Sequence, residues 1–69
     1  MEIGGEKMKL KYARIEVGIT QGEFAKIMGV SQTMVCLWER GKNIPCRKNR
    51  EKIKTFFKEK GIEVEFKVL

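Results

Sequence analysis

Residues 20–41, TQGEFAKIMGVSQTMVCLWERG, constrain the fold more than any other part of this 69-residue chain. Thr20 and Glu23 form an S/T-x-x-E pattern, whose two side chains can satisfy free backbone N–H groups at the start of a helix. Gly29 supplies the residue that most easily adopts the left-handed backbone found just after a helix. The spacing therefore predicts a short helix that begins after Thr20 and ends at Gly29.

A second short helix is predicted directly after the first. Ser31 is a good helix N-cap, and Gly41 can end the helix that it begins. Val35 and Trp38 lie three residues apart between them, a spacing that puts both apolar side chains on one face. The segment thus indicates two short helices joined by one tight turn.

This pair of helices resembles the helix-turn-helix of the phage Cro and repressor proteins, also called the XRE family. The shared runs are T-Q-x-x-[FL]-A at residues 20–25 and G-V-S-Q at residues 29–32, and the match extends over about residues 10–45, including the lead-in ARIEVGITQ and the tail ERGKNIP. The resemblance implies an all-α, lambda-repressor-like domain that binds DNA. Because the chain is short, we expect one domain with about four helices.

The helix before this pair is expected at about residues 6–17. Leu10, Ala13, Arg14 and Val17 fall on one face of it, and Gly18 follows. A guanidinium on an inward face requires a paired carboxylate, and the resemblance implies that Glu39 forms this buried ion pair with Arg14. The alternative is an arginine that extends outward to solvent.

A fourth helix is expected at about residues 47–60, with Ile53, Phe56 and Phe57 on its inner face. Its start could instead break at Asn49, which is a good helix cap. Gly61 follows the predicted helix and separates it from the last segment of the chain.

Residues 62–68, IEVEFKV, alternate apolar and charged side chains, which predicts a β-strand. A strand must pair its backbone groups, and we find no second strong strand in the sequence. We therefore favour antiparallel pairing between two copies of the chain across a two-fold axis, with pairing to Glu2 and Ile3 as the alternative. The side chains on the apolar face of this dimer strand are Ile62, Val64, Phe66 and Val68.

The chain has 15 basic and 9 acidic residues, which give a net charge of +6. Residues 40–60 contain nine basic and two acidic residues, so this stretch carries the whole excess. A positive patch that follows the second helix of the pair fits a DNA phosphate backbone. The alternative interpretation is a solvated helix face, to which Lys54 and Lys58 are expected to belong.

The resemblance puts the second helix of the pair in the major groove of double-stranded DNA. Gln32 is the strongest candidate for reading a base, because a carboxamide can donate to and accept from adenine at once. The predicted base-reading residues are Ser31, Gln32, Thr33, Cys36 and Leu37. The resemblance implies phosphate contacts from Gln21, Arg40, Lys42 and Asn43, and the local charge adds Arg47 and Lys48.

We expect a sequence-specific transcription regulator, most simply a small Cro-like repressor that binds a near-palindromic operator as a homodimer. One alternative is a protein-interaction module that uses Met34, Cys36 and Leu37, and another is an antitoxin with the same fold. Enzyme activity is not expected, because the chain has no histidine or aspartate and its nine glutamates are scattered.

Cys36 and Cys46 are the only cysteines, and we interpret both as free thiols. They lack the further ligands that a zinc site needs. No signal peptide and no apolar stretch near the ~20 residues of a membrane span is apparent. We therefore expect a cytoplasmic protein with no metal, cofactor, membrane contact or small-molecule ligand.

Overall fold

The computed structural model describes residues 7–66, which form four helices and a pair of very short strands. The fold is therefore mainly helical, as the sequence predicts. In chain order the elements are β1 (Met8–Lys9), α1 (Leu10–Val17), α2 (Gln21–Met28), α3 (Gln32–Glu39), α4 (Arg47–Lys58) and β2 (Val64–Glu65).

Helix α1 begins later than the expected residue 6, because Met8 and Lys9 are in strand β1. The N–H of Met8 donates to the carbonyl of Glu63 at 2.8 Å, so its hydrogen bond goes to the far end of the chain. Lys9 keeps an extended backbone and provides no side-chain cap. The expected helix start was wrong because no capping residue marks it, and a tertiary contact decides the conformation there.

Helices α2 and α3 begin at the predicted caps. In α2 the N–H of Glu23 donates to Thr20 Oγ1 at 3.0 Å, and the N–H of Thr20 donates to Glu23 Oε1 at 2.8 Å, which completes the capping box. In α3 the N–H of Met34 donates to Ser31 Oγ at 3.1 Å. Gly29 ends α2 with a left-handed φ of 74°. The tight turn between the helices is therefore specified by its own residues.

Helix α4 is one continuous helix that passes through Asn49 without the break considered above. It ends at Lys58, two residues earlier than expected. The chain then reverses at Gly61, whose φ is 77°, and the N–H of Ile62 donates to the carbonyl of Phe57 at 3.0 Å. This reversal sends the last described residues back along the domain toward β1.

Strand β2 pairs in parallel with β1 of the same chain, with Met8 opposite Val64 and Lys9 opposite Glu65. The strand therefore pairs with the N-terminal part of its own chain, as in the alternative given above, but at Met8 and Lys9. Up to residue 66, where the description ends, alternation also predicted too long a strand, since only Val64 and Glu65 are in β2. Glu2, Ile3 and Val68 lie outside the described residues.

One hydrophobic core joins all four helices to β2. Phe24 of α2 lies at its centre, with ring centroids 5.9 Å from Phe56 and 5.6 Å from Phe57. The buried apolar side chains are Leu10, Ala13, Phe24, Ala25, Met28, Val35, Trp38, Ile53, Phe57 and Val64. Within residues 7–66, every helix is too short or too polar to cross a membrane.

Candidate nucleic-acid interface

Helix α3 has one buried face and one accessible face. Val35 and Trp38 anchor it, with 0% and 7% of their surface exposed. On the other side Gln32 and Thr33 are exposed, as is the cap residue Ser31. The predicted base-reading residues therefore divide into an exposed group at the helix start and two half-buried residues one turn later, Cys36 and Leu37.

Arg14 and Glu39 form an ion pair between α1 and α3. The distance from Arg14 Nε to Glu39 Oε2 is 2.6 Å, and a second hydrogen bond joins Nη2 to Oε1 at 3.3 Å. Arg14 Nη1 also donates to the carbonyl of Ile19 at 2.7 Å. Only 12% of the arginine side chain and 3% of the glutamate side chain are exposed. The guanidinium thus points inward and connects α1, the loop after it and α3.

Gln21, predicted to contact phosphate, belongs to the same hydrogen-bonded group. Its Nε2 donates to Glu39 Oε1 at 2.9 Å, and its side chain is half-buried. The carboxylate of Glu39 therefore joins α1, α2 and α3. The sequence did not indicate this contact, because Gln21 and Glu39 are 18 residues apart and Gln21 was assigned to phosphate.

Gln32 extends back toward the first turn of α2. A Cβ atom built on Gly22 would lie 3.3 Å from Gln32 Oε1 and 3.9 Å from Gln32 Cδ. The end of the Gln32 side chain therefore occupies space that any other residue at position 22 would reduce. Sequence reasoning did not single out Gly22, although a glycine inside a helix is a signal of close packing.

The loop after α3 folds back onto that helix. The N–H groups of Lys42 and Asn43 both donate to the carbonyl of Leu37, at 3.0 and 3.3 Å. Asn43 Nδ2 also donates to Met34 Sδ at 3.4 Å. Arg40, Lys42 and Asn43 are exposed, so the loop holds two positive side chains beside the helix that carries Gln32.

The basic residues of α4 differ in what they contact. Arg47 and Lys48 are exposed in the first turn, and Arg47 Nε is 3.4 Å from Glu51 Oε2. Arg50 Nη1 donates to the carbonyl of Pro45 at 2.9 Å, and Lys52 Nζ donates to the carbonyl of Met28 at 3.3 Å. Part of the positive patch therefore stabilises the fold, which net charge alone could not reveal.

Both cysteines are free, with Cys36 half-buried and Cys46 exposed. In the part of the chain that the structure describes, no group of three histidine, cysteine, aspartate or glutamate side chains could hold a metal ion.

Comparison with known proteins agrees with this arrangement. A helix-turn-helix family model matches residues 10–45. An uncharacterized HTH-type transcriptional regulator of Methanocaldococcus jannaschii is 41% identical over 59 residues, which cover 86% of this chain and 85% of that protein. No solved structure matches the chain. The chain belongs to the helix-turn-helix family of the XRE, or Cro/C1, type, whose members are DNA-binding transcription regulators.

Proposed function

We propose that this protein is a sequence-specific transcription regulator that inserts α3 into the major groove of DNA. The main support for the proposal is that α3 has one buried face and one exposed face. Val35 and Trp38 hold the helix in the core, while Gln32 and Thr33 are exposed at its N-terminal end. A helix-turn-helix contacts base edges through this end of its second helix.

Gln32 is proposed to read an adenine, because its amide nitrogen and oxygen match the donor and acceptor that adenine presents in the major groove. Thr33 can add a hydroxyl or methyl contact, and Ser31 a hydroxyl contact. Leu37 can meet a thymine methyl group. Cys36 and Leu37 are half-buried, so we expect them to contribute less than Gln32.

The exposed basic side chains beside α3 are proposed to bind phosphates. Arg40 and Lys42 are in the loop after α3, and Arg47 and Lys48 are in the first turn of α4. Asn43 is exposed in the same loop and can donate to a phosphate oxygen if it gives up its contact with Met34. Such contacts give affinity and orientation without reading sequence.

Gln21 is proposed to combine two roles. Its amide already donates one hydrogen bond to Glu39, and an amide nitrogen has a second hydrogen. That second hydrogen, together with the N-terminus of α2, can contact a phosphate. Through Glu39 the same side chain would keep the first turn of α2 fixed relative to α3.

To test the proposal, the sites that the protein binds are first selected from random DNA. The affinities of the Gln32→Ala and Lys42→Ala variants for the selected site and for scrambled DNA are then compared. Gln32→Ala should weaken binding to the selected site by about 1 to 3 kcal/mol and relax the preference at one base pair. Lys42→Ala should weaken binding to all sequences alike and reduce the slope of log affinity against log salt by about 1. Affinities measured at several salt concentrations separate the two effects.

Two results would contradict this assignment. One is identical behaviour of the two variants on selected and scrambled DNA, which would remove Gln32 from base reading. The other is the absence of any salt-dependent DNA binding. That second result would favour a protein-interaction module in which Met34, Cys36 and Leu37 contact a partner or, in an antitoxin, a toxin.

We further propose that two copies bind a near-palindromic operator and repress transcription by occupying it, in the cytoplasm. Strand β1 pairs with one edge of β2, so an antiparallel pair of β2 strands across a two-fold axis would use the other edge. Sedimentation with and without DNA tests the stoichiometry. Selected sites should have two half-sites about one helical turn apart, and a single unrepeated half-site bound by a monomer would contradict the dimer.

A further inference from the structure

We propose that Gly22 is a positioning residue for base recognition, because its missing side chain leaves the space in which the Gln32 carboxamide lies. This inference rests on the proposed function, in which Gln32 reads a base. It adds a residue on α2 that touches no base itself and acts through the side chain at the start of α3.

The geometry of the contact supports this role. A Cβ atom on Gly22 would lie 3.3 Å from Gln32 Oε1, closer than ordinary van der Waals contact, so the carboxamide would have to shift by a few tenths of an ångström. The capping box of Thr20 and Glu23 fixes the turn of α2 on which Gly22 lies. The Gln32 side chain, which is exposed and ends in the contacting atom, is therefore the part that would move.

Backbone conformation does not explain a glycine at this position. Within residues 7–66, the glycines with positive φ are Gly18, Gly29, Gly41 and Gly61, at which a side chain would be strained. Gly22 instead lies inside α2, where alanine is the better helix former. The absence of a side chain at Gly22 instead allows the Gln32 carboxamide to lie close to the backbone of α2.

A small shift of the carboxamide matters because bidentate recognition needs the nitrogen and the oxygen in place together. An adenine presents one acceptor and one donor at fixed positions on its major-groove edge. Moving the amide oxygen away from α2 lengthens or bends at least one of the two hydrogen bonds, which weaken steeply with poor angles. The preference for adenine over other bases should therefore fall while the protein stays folded.

The test measures affinity of the full chain for two DNA duplexes, the selected site and the same site with the Gln32-dependent base pair changed. Gly22→Ala should reduce the ratio of the two affinities by roughly 3- to 10-fold, a part of what a bidentate contact supplies. Its melting temperature should stay equal or rise, because alanine favours the helix. In a Gln32→Ala background the same substitution should leave the ratio unchanged.

Each other outcome overturns the proposal in a distinguishable way. An unchanged ratio for Gly22→Ala would mean that position 22 does not orient Gln32. Gly22→Ala could instead weaken binding to both duplexes equally, also in the Gln32→Ala background. That result would mean that Gly22 only leaves room for the phosphate backbone at the start of α2. If Gln32→Ala alone left the ratio unchanged, the base-reading assignment itself would fail, and the positioning role with it.

Discussion

Residues 10–45 and residues 46–66 obtain their structure in different ways. In the first region the ends of α2 and the start of α3 are specified by adjacent residues, as the capping box at Thr20 and the left-handed Gly29 illustrate. In the second region, α4 starts at Arg47 with no side-chain cap from Cys46 before it, and β2 depends on β1 at the other end of the chain. The helix-turn-helix is thus determined locally, whereas the segment after it is held by packing.

The largest expected effect tests whether the second region is integral to the core. Phe57→Ala should lower the free energy of unfolding by about 3 to 5 kcal/mol, because the ring is fully buried against Phe24. Urea denaturation gives the value, and Phe57→Leu provides a milder variant in case the alanine variant does not fold. Phe56→Ala is the matched control and should cost less, because Phe56 is only half-buried. If Phe57→Ala lowered the free energy of unfolding by less than about 1 kcal/mol, residues 46–66 would not be an integral part of the core.

The next effect contrasts an ion pair from each region. Glu39→Ala should cost about 3 kcal/mol, because it leaves the Arg14 guanidinium largely buried without its carboxylate. Glu51→Ala removes the partner of Arg47 in an exposed pair on α4 and should change stability by less than about 0.5 kcal/mol. Thermal melts of both variants make the comparison. Equal melting temperatures would mean that burial of the Arg14–Glu39 pair does not matter to stability.

The smallest expected effect separates two lysines of α4. Lys52→Ala should lower stability by about 0.5 kcal/mol, because the ammonium group donates to the last carbonyl of α2. Lys48→Ala should leave stability unchanged and reduce the salt slope of DNA binding by about 1. Thermal melts and salt titrations of DNA binding are measured for each variant. Lys52→Ala should change only the melt, and Lys48→Ala should change only the salt slope. A salt slope that falls for Lys52→Ala instead would assign that lysine to the DNA surface.

Sequence patterns predicted those parts of the fold whose signals lie within a few residues of the structure that they specify. The caps at Thr20 and Ser31 and the turn at Gly29 are of this kind, because their hydrogen-bond partners are neighbours along the chain. The inward face of α3 follows from the spacing of Val35 and Trp38 within the helix. The helical family fold follows from them. The DNA contacts of individual side chains stay predictions.

The errors concern contacts between distant parts of the chain. Met8 and Lys9 have no strand signal of their own, and they are extended because β2 pairs with them. The alternation of residues 62–68 predicts which side chains face inward, but the partner sets the paired length at two residues. Likewise, composition counts Arg50 and Lys52 as positive charge, whereas only the fold brings them to the carbonyls of Pro45 and Met28.

The pairing of β1 with β2 has a consequence for how the domain folds. It closes a loop that includes every helix, and the entropy lost on closing a loop grows with its length. Helices α2 and α3, joined by a short turn, can meet with little such loss and are expected to associate first. Opening of the β1–β2 pair would then be the first step of unfolding. Among the hydrogen-bonded backbone amides, hydrogen exchange should be fastest at Met8, which donates to Glu63.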